Sequence, residues 1–119
     1  MKNSIIQEKS KKFAIRIIHC YKHLVDNKKE FVISKQLLRS GTSIGALVAE
    51  SRFAQSDKDF INKLYIALKE ANESLYWLEL LYETNFLTKE EYVSISEDSD
   101  ELIKLLVSIT KTLKSKINS

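Results

Sequence analysis

Apolar and polar positions in this chain alternate with the period of packed helices, four times over. Ile6, Ser10, Phe13, Ile17, Cys20 and Leu24 recur at alternating steps of four and three. Ile33, Leu37, Ser40, Ile44, Leu47 and Ser51 repeat the pattern. Ile61, Leu64, Leu68, Ala71, Leu75, Leu78 and Tyr82 form a third stripe, and Tyr92, Ile95, Ser99, Leu102, Leu106, Ile109 and Leu113 a fourth. A mean repeat of about 3.5 residues held this long is the seam of helices crossing at small angles. Flanking residues such as Ala14, Tyr21, Phe60, Ala67, Leu81 and Ile103 widen each stripe to the face a bundle needs.

Capping signals divide the stripes into elements. Ser4 with Gln7 opens the first helix, Asn27 with Glu30 the second, Ser56 with Asp59 the third. Thr88 with Glu91 opens the fourth, flanked by Leu87 and Tyr92 as a hydrophobic staple. The expected helices lie near 4–25, 28–54, 57–84 and 89–116, in one domain over 1–119. Links of a few residues force consecutive helices to run antiparallel. The predicted fold is all-α, an antiparallel up-down-up-down four-helix bundle. The absence of proline agrees with long helices.

Composition narrows the class. A hydrophobic fraction of 44% with 29% charged residues fits an ordinary globular domain. No apolar run approaches the roughly 18 residues of a membrane span, so no membrane association is expected. Met1 opens no signal-peptide pattern, and the single cysteine, Cys20, suits a reducing compartment. A cytoplasmic location is therefore expected.

Charge changes the picture more. Residues 1–40 hold ten Lys/Arg against three Asp/Glu, a net +7, and residues 41–119 hold nine against thirteen, a net −4. Antiparallel topology brings the start of the first helix beside the end of the fourth. Lys2, Lys9, Lys11, Lys12 and Arg16 then lie near Lys111, Lys114 and Lys116. The helix dipole explains bases late in the fourth helix but opposes them early in the first. A basic end-patch meeting phosphates by charge neutralisation is the expected function of Lys9, Lys11, Lys12, Arg16, Lys111, Lys114 and Lys116.

Other chemistry is scarce. His19 and His23 share a face but lack further metal ligands. Arg39-Ser40-Gly41-Thr42-Ser43 matches neither a phosphate loop nor a nucleophile turn. No catalytic, cofactor or metal site is expected, and the chain reads as no enzyme. Both glycines, Gly41 and Gly45, are four apart, the spacing of close helix–helix approach. Arg39 beside an apolar stripe is a candidate to pair with a carboxylate of a neighbouring helix. Tyr76 and Trp77 crowd the third helix, with Trp77 off the seam, and are candidate subunit contacts.

The run Gln36-Leu-Leu-Arg39-Ser-Gly-Thr-Ser43-Ile44-Gly, ending in Ala49-Glu50, resembles the signature of the 23S rRNA intervening-sequence protein family. Asp59-Phe60, Ala67-Leu-Lys-Glu-Ala-Asn-Glu-Ser74-Leu75 and Leu78-Glu79 extend the resemblance over essentially the whole chain. The positions matched are Gln36, Arg39, Ser43, Ile44, Glu50, Phe60, Ala67, Ser74 and Glu79. The sequence departs at Leu47, where the family often has Asn, and at Ser51, where it often has Gly. The resemblance implies a bacterial four-helix bundle with no established enzymatic activity. The accessory protein of diversity-generating retroelements looks like a relative. That likeness implies a homo-oligomer, as a pentamer, with RNA or DNA and a reverse transcriptase as partners. A protein-interaction scaffold without nucleic acid is the alternative.

Overall fold

The computed structural model describes residues 2–118, with side chains from residue 5 onward. Four helices follow one another: α1 (Lys2–Asp26), α2 (Ile33–Ser51), α3 (Asp57–Glu83) and α4 (Lys89–Asn118). They form an antiparallel bundle of 50 × 22 × 22 Å, with α1 against α2, α2 against α3, α3 against α4, and a thinner α1/α4 seam. The described residues contain no strand. The side chains of Ser4 and Lys2, and with Ser4 the expected Ser4/Gln7 cap, lie outside the described ones, and the helix itself begins at Lys2.

The predicted seams close on one core. All six seam residues of α1 are buried, with Phe13, Ile17 and Leu24 among the largest fully buried side chains of the protein. In α3 the burial centres one position away from Leu68 and Leu75, on Ala67 and Ser74, because small residues let α2 approach there. The core is studded with hydroxyls that bond to their own helix: Ser10 donates to Gln7 O at 3.2 Å and Thr110 to Leu106 O at 2.7 Å. Across helices, Ser40 Oγ meets Ser74 Oγ at 2.9 Å, and Ser99 donates to Ala71 O at 3.3 Å. Each buried polar atom so paired avoids about 1–3 kcal/mol of desolvation cost.

Gly41 and Gly45 are helical and mark where α1 and α2 nearly touch. A Cβ on Gly41 would stand 2.8 Å from Ile17 Cγ1 and 2.9 Å from Cγ2. One on Gly45 would stand 3.3 Å from the Ser10 carbonyl oxygen. Close approach of α1, by the Ile17 side chain at Gly41 and by the Ser10 backbone at Gly45, rather than a loop, is the reason for both glycines.

Two helix ends behave as predicted. Asp59 N–H donates to Ser56 Oγ at 3.1 Å. Thr88 and Glu91 form a reciprocal box, Thr88 N–H to Glu91 Oε1 at 2.8 Å and Glu91 N–H to Thr88 Oγ1 at 3.1 Å. Helix α2 starts at Ile33, not near 28 as expected from Asn27. Asn27 instead bonds His23 Nδ1 at 2.9 Å, and Lys29 takes a left-handed turn at φ 57°. Glu30 does the capping from further back: its carboxylate accepts from Val32, Ile33 and Ser34 N–H at 3.3, 3.0 and 2.6 Å. Helix α2 also stops at Ser51 instead of near 54. Phe53 N–H to Glu50 O at 3.0 Å and Ala54 N–H to Ser51 O at 3.1 Å tighten its end. At the α3 end, Asn85 sits at φ 70° and Phe86 N–H reaches Leu81 O at 2.8 Å, a left-handed cap.

Candidate nucleic-acid interface

The predicted basic patch divides once the helices are set at their levels. Arg16 reaches across the α1/α4 seam. Its Nη1 donates to Asp98 Oδ2 at 2.7 Å and to Ser94 O at 3.0 Å, and its Nη2 bonds Ser94 Oγ. Lys9 pairs with Glu101 at 3.2 Å, and His23 Nε2 lies 3.7 Å from Glu91. Lys12 pairs with Glu8 on its own helix at 3.1 Å. The early bases of α1 that the dipole disfavours thus answer the acidic flank of α4. Lys9 and Arg16 bridge α1 to α4 and Lys12 pairs within α1, so each of the three already has a carboxylate partner that a phosphate would have to displace.

Lys11 points elsewhere. It lines an open groove of about 430 Å³ between α1 and α2 with Gln7, Ala14, Thr42, Gly45, Ala46, Ala49 and Arg52. Helical spacing extends this face. Lys22 follows Lys11 by eleven residues and shares its stripe, with Ile15 and Ile18 between; Lys35 precedes Thr42 by seven. Lys11, Lys22 and Lys35 are exposed and make no ion pair among the described residues. Lys22, Lys35 and Arg52 were not singled out from the sequence. For Lys22 the signal was present in the outward stripe of α1, and for Lys22 and Lys35 in the +7 excess of residues 1–40.

At the far end of α4, Lys111 and Lys114 are exposed and unpaired among the described residues, while Lys116 is already engaged within the chain. Neither Lys111 nor Lys114 lines the α1/α2 groove.

The signature residues build a second polar cluster. Arg39 Nη1 pairs with Glu70 at 3.2 Å, and its Nη2 bonds Glu73. Glu73 Oε2 also accepts Trp77 Nε1–H at 3.0 Å. The expected Arg39–carboxylate pair therefore exists, on α3. Trp77 is half-buried with its donor satisfied, and Tyr76 is the more exposed ring of the two candidate subunit contacts. Ser43 Oγ donates to Arg39 O at 2.6 Å. Gln36, Glu50 and Glu79 are exposed, and no contact joins Glu50 to Arg39. Phe60 packs against the core edge. Tyr65 and Tyr76, eleven residues apart, mark the outer face of α3, as Val93 and Val107 mark that of α4.

A third cluster, Arg16, His19, Cys20, His23, Leu87, Glu91 and Ile95, surrounds a hollow of about 310 Å³. Burial, reinforced by Glu91 and opposed by Arg16, pushes the Cys20 thiol up to about 11, so it stays protonated near neutrality. Among the described residues no three His, Cys, Asp or Glu side chains are placed to hold a metal ion. Among the described residues no helix is long and apolar enough to cross a membrane either.

This fold and this signature have known counterparts. The chain is similar to the crystal structure of a protein of unknown function from the S23 ribosomal protein family of Bacteroides thetaiotaomicron. The two share 60% identity over 93% of this chain and 99% of that one, with a TM-score of 0.92. No curated protein matches. The model of the 23S rRNA-intervening sequence protein family matches residues 2–108, which include α1, α2, α3 and most of α4. The chain belongs to that family.

Proposed function

We propose that this protein is a cytoplasmic, non-enzymatic bundle that self-associates and binds the phosphate backbone of RNA or DNA. The observation that carries the reading is the separation of its cations. Those on the α1/α4 seam are neutralised by Asp98 and Glu101, while Lys11, Lys22 and Lys35 on the α1/α2 face are not. A face of unpaired bases over a floor of small residues lets a polyanion approach closely and release counterions. It offers no base-edge readout, so binding is expected to be indifferent to sequence.

Self-association fits the opposite face, where Tyr65, Tyr76, Val93 and Val107 are exposed on α3 and α4. The likeness to the retroelement accessory protein supports a pentamer, and a reverse transcriptase as a further partner. Mass in solution tests the first: Tyr76→Glu is expected to lower the assembled mass, and an unchanged mass removes Tyr76 from the contact. Fluorescence anisotropy with labelled RNA tests the main reading. Affinity at low salt that falls as salt rises supports it, and no binding at low salt overturns it.

Ile15 and Ile18 lie within the basic stripe and are exposed. They favour the second reading, a scaffold that meets a protein partner on this face without nucleic acid. In that case affinity for a partner would survive reversal of the three lysines.

A further inference from the structure

Two of the five phenylalanines stand out in solvent, at opposite ends of α2. Phe31 in the α1–α2 turn is 50% exposed, and Phe53 just beyond Ser51 is 79% exposed. Phe13 is buried, and Phe60 and Phe86 pack against the core, so the bundle has room for aromatic rings and leaves these two outside. Neither ring stands on loose backbone. The Glu30 carboxylate holds the amides of Val32, Ile33 and Ser34, and the Phe53 amide itself donates to Glu50 O at 3.0 Å.

Each ring has a cationic neighbour. Lys28 and Lys29 precede Phe31. The Arg52 guanidinium lies 5.6 Å from the Phe53 ring centroid, and the same Arg52 borders the groove that Lys11 lines. Between the rings run the 19 residues of α2, about 28 Å at helical rise, with Lys35 on the outward side facing α1. Aromatic platforms joined by a cationic track are what a single strand requires, because unpaired bases stack on rings while lysines follow the phosphates. A duplex keeps its bases stacked on one another, so an exposed phenylalanine reaches them only by prying a base step apart, at a cost of about a few kcal/mol that a single strand does not carry.

We infer that the α1/α2 face binds single-stranded nucleic acid in preference to duplex, with Phe31 and Phe53 as base-stacking platforms at the two ends of α2. The inference rests on the nucleic-acid reading above and adds which form of the polymer is recognised. Removing one stacking ring is expected to weaken single-strand binding roughly 5- to 150-fold, and to leave duplex binding unchanged.

The test measures anisotropy at low salt with labelled uridine and thymidine dodecamers and with a mixed-sequence duplex of equal length. The proteins are the parent chain, Phe31→Ala, Phe53→Ala and a triple charge reversal of Lys11, Lys22 and Lys35. Both rings are exposed, so the alanine variants should fold, and circular dichroism checks this. The inference predicts a single-strand preference that each alanine variant reduces at least about 5-fold. The two dodecamers tell RNA from DNA. Alanine variants that bind single strands like the parent, with binding lost only in the charge reversal, overturn the stacking inference and leave the phosphate reading intact. No binding of the parent to any oligonucleotide overturns both. Alanine variants that lose self-association while keeping oligonucleotide affinity place the rings between copies, and also overturn it.

Discussion

Replacing Gly41 by alanine tests the close approach of α1 and α2. Two effects oppose each other. An alanine in a helix interior is worth about 1 kcal/mol over glycine. Its Cβ, however, would lie 2.8 and 2.9 Å from the two γ carbons of Ile17, a fully buried side chain. Ile17 branches at Cβ and so has few rotamers into which it can retreat. Overpacking of this kind costs about 1–3 kcal/mol. The expected net is a loss of about 1 kcal/mol, or ~4 °C in Tm for a chain of this length. The decisive comparison is the same substitution in an Ile17→Ala background. Ile17→Ala alone should cost about 2–5 kcal/mol, but it removes both clashing atoms, leaving only Cβ at 3.2 Å. Gly41→Ala should then stabilise by about 1 kcal/mol, so its sign reverses and the coupling is ~2 kcal/mol. Urea unfolding followed by Trp77 fluorescence and by circular dichroism measures all four proteins. A Gly41→Ala variant that gains about 1 kcal/mol in both backgrounds would show that helix propensity alone governs the site. The close approach would then be wrong.

Four further outcomes follow from the hydrogen bonds and charges. Glu30→Ala removes the acceptor of three α2 amides and is expected to cost about 2 kcal/mol, ~8 °C in Tm by calorimetry; a loss under ~0.5 kcal/mol refutes the cap. Burial pushes the Glu30 carboxyl up, but the Ser34, Ile33 and Val32 amides and the Ser34 hydroxyl hold it below its ordinary 4.5. Its contribution is therefore complete above pH ~4.5 and lost as pH falls through the depressed folded value, so Glu30→Gln should flatten the acid limb of a stability–pH curve. Glu91 is lowered too, chiefly by the Thr88 amide against burial, then by the Thr88 hydroxyl, His23 and Lys28, so Glu91→Gln should flatten the same limb further. Arg39→Ala should cost only about 0.5–1 kcal/mol, because the guanidinium is half exposed, yet it frees Glu73 and should shift the Trp77 emission; an unchanged spectrum would separate the indole from this cluster.

Much of the bundle was legible because burial follows the period of the helix. Every seam position of α1 is buried, and the Thr88/Glu91 box forms as its spacing implied. Helix 2 began late for a specific reason. A cap reading looks for a short side chain at the first residue, whereas Glu30 reaches forward three and four residues to hold Ile33 and Ser34. The fate of the cations was hidden more deeply. Lys9 meets Glu101 and Arg16 meets Asp98, partners 92 and 82 residues away, and only the relative level of α1 and α4 decides those pairs. Trp77 looked exposed because Leu75 and Leu78 set the seam. Glu73, one turn earlier, supplies an acceptor that draws it inward.

The fold sorts its cations, pairing Lys9 and Arg16 across the α1/α4 seam and leaving Lys11, Lys22 and Lys35 unpaired among the described residues on the α1/α2 face, where we propose that they meet phosphates. The most direct measurement is the slope of log affinity for single-stranded RNA against log salt in two variants. One carries Lys11, Lys22 and Lys35 changed to glutamine, and the other Lys9, Lys12 and Arg16 changed likewise. Each phosphate contact contributes about −0.7 to that slope on a single strand. The first variant is expected to bind more weakly and to flatten the slope by about 2. The second is expected to lose stability while keeping the parent slope. A parent slope in the first variant and a flattened one in the second would place the phosphates on the α1/α4 seam and contradict the account.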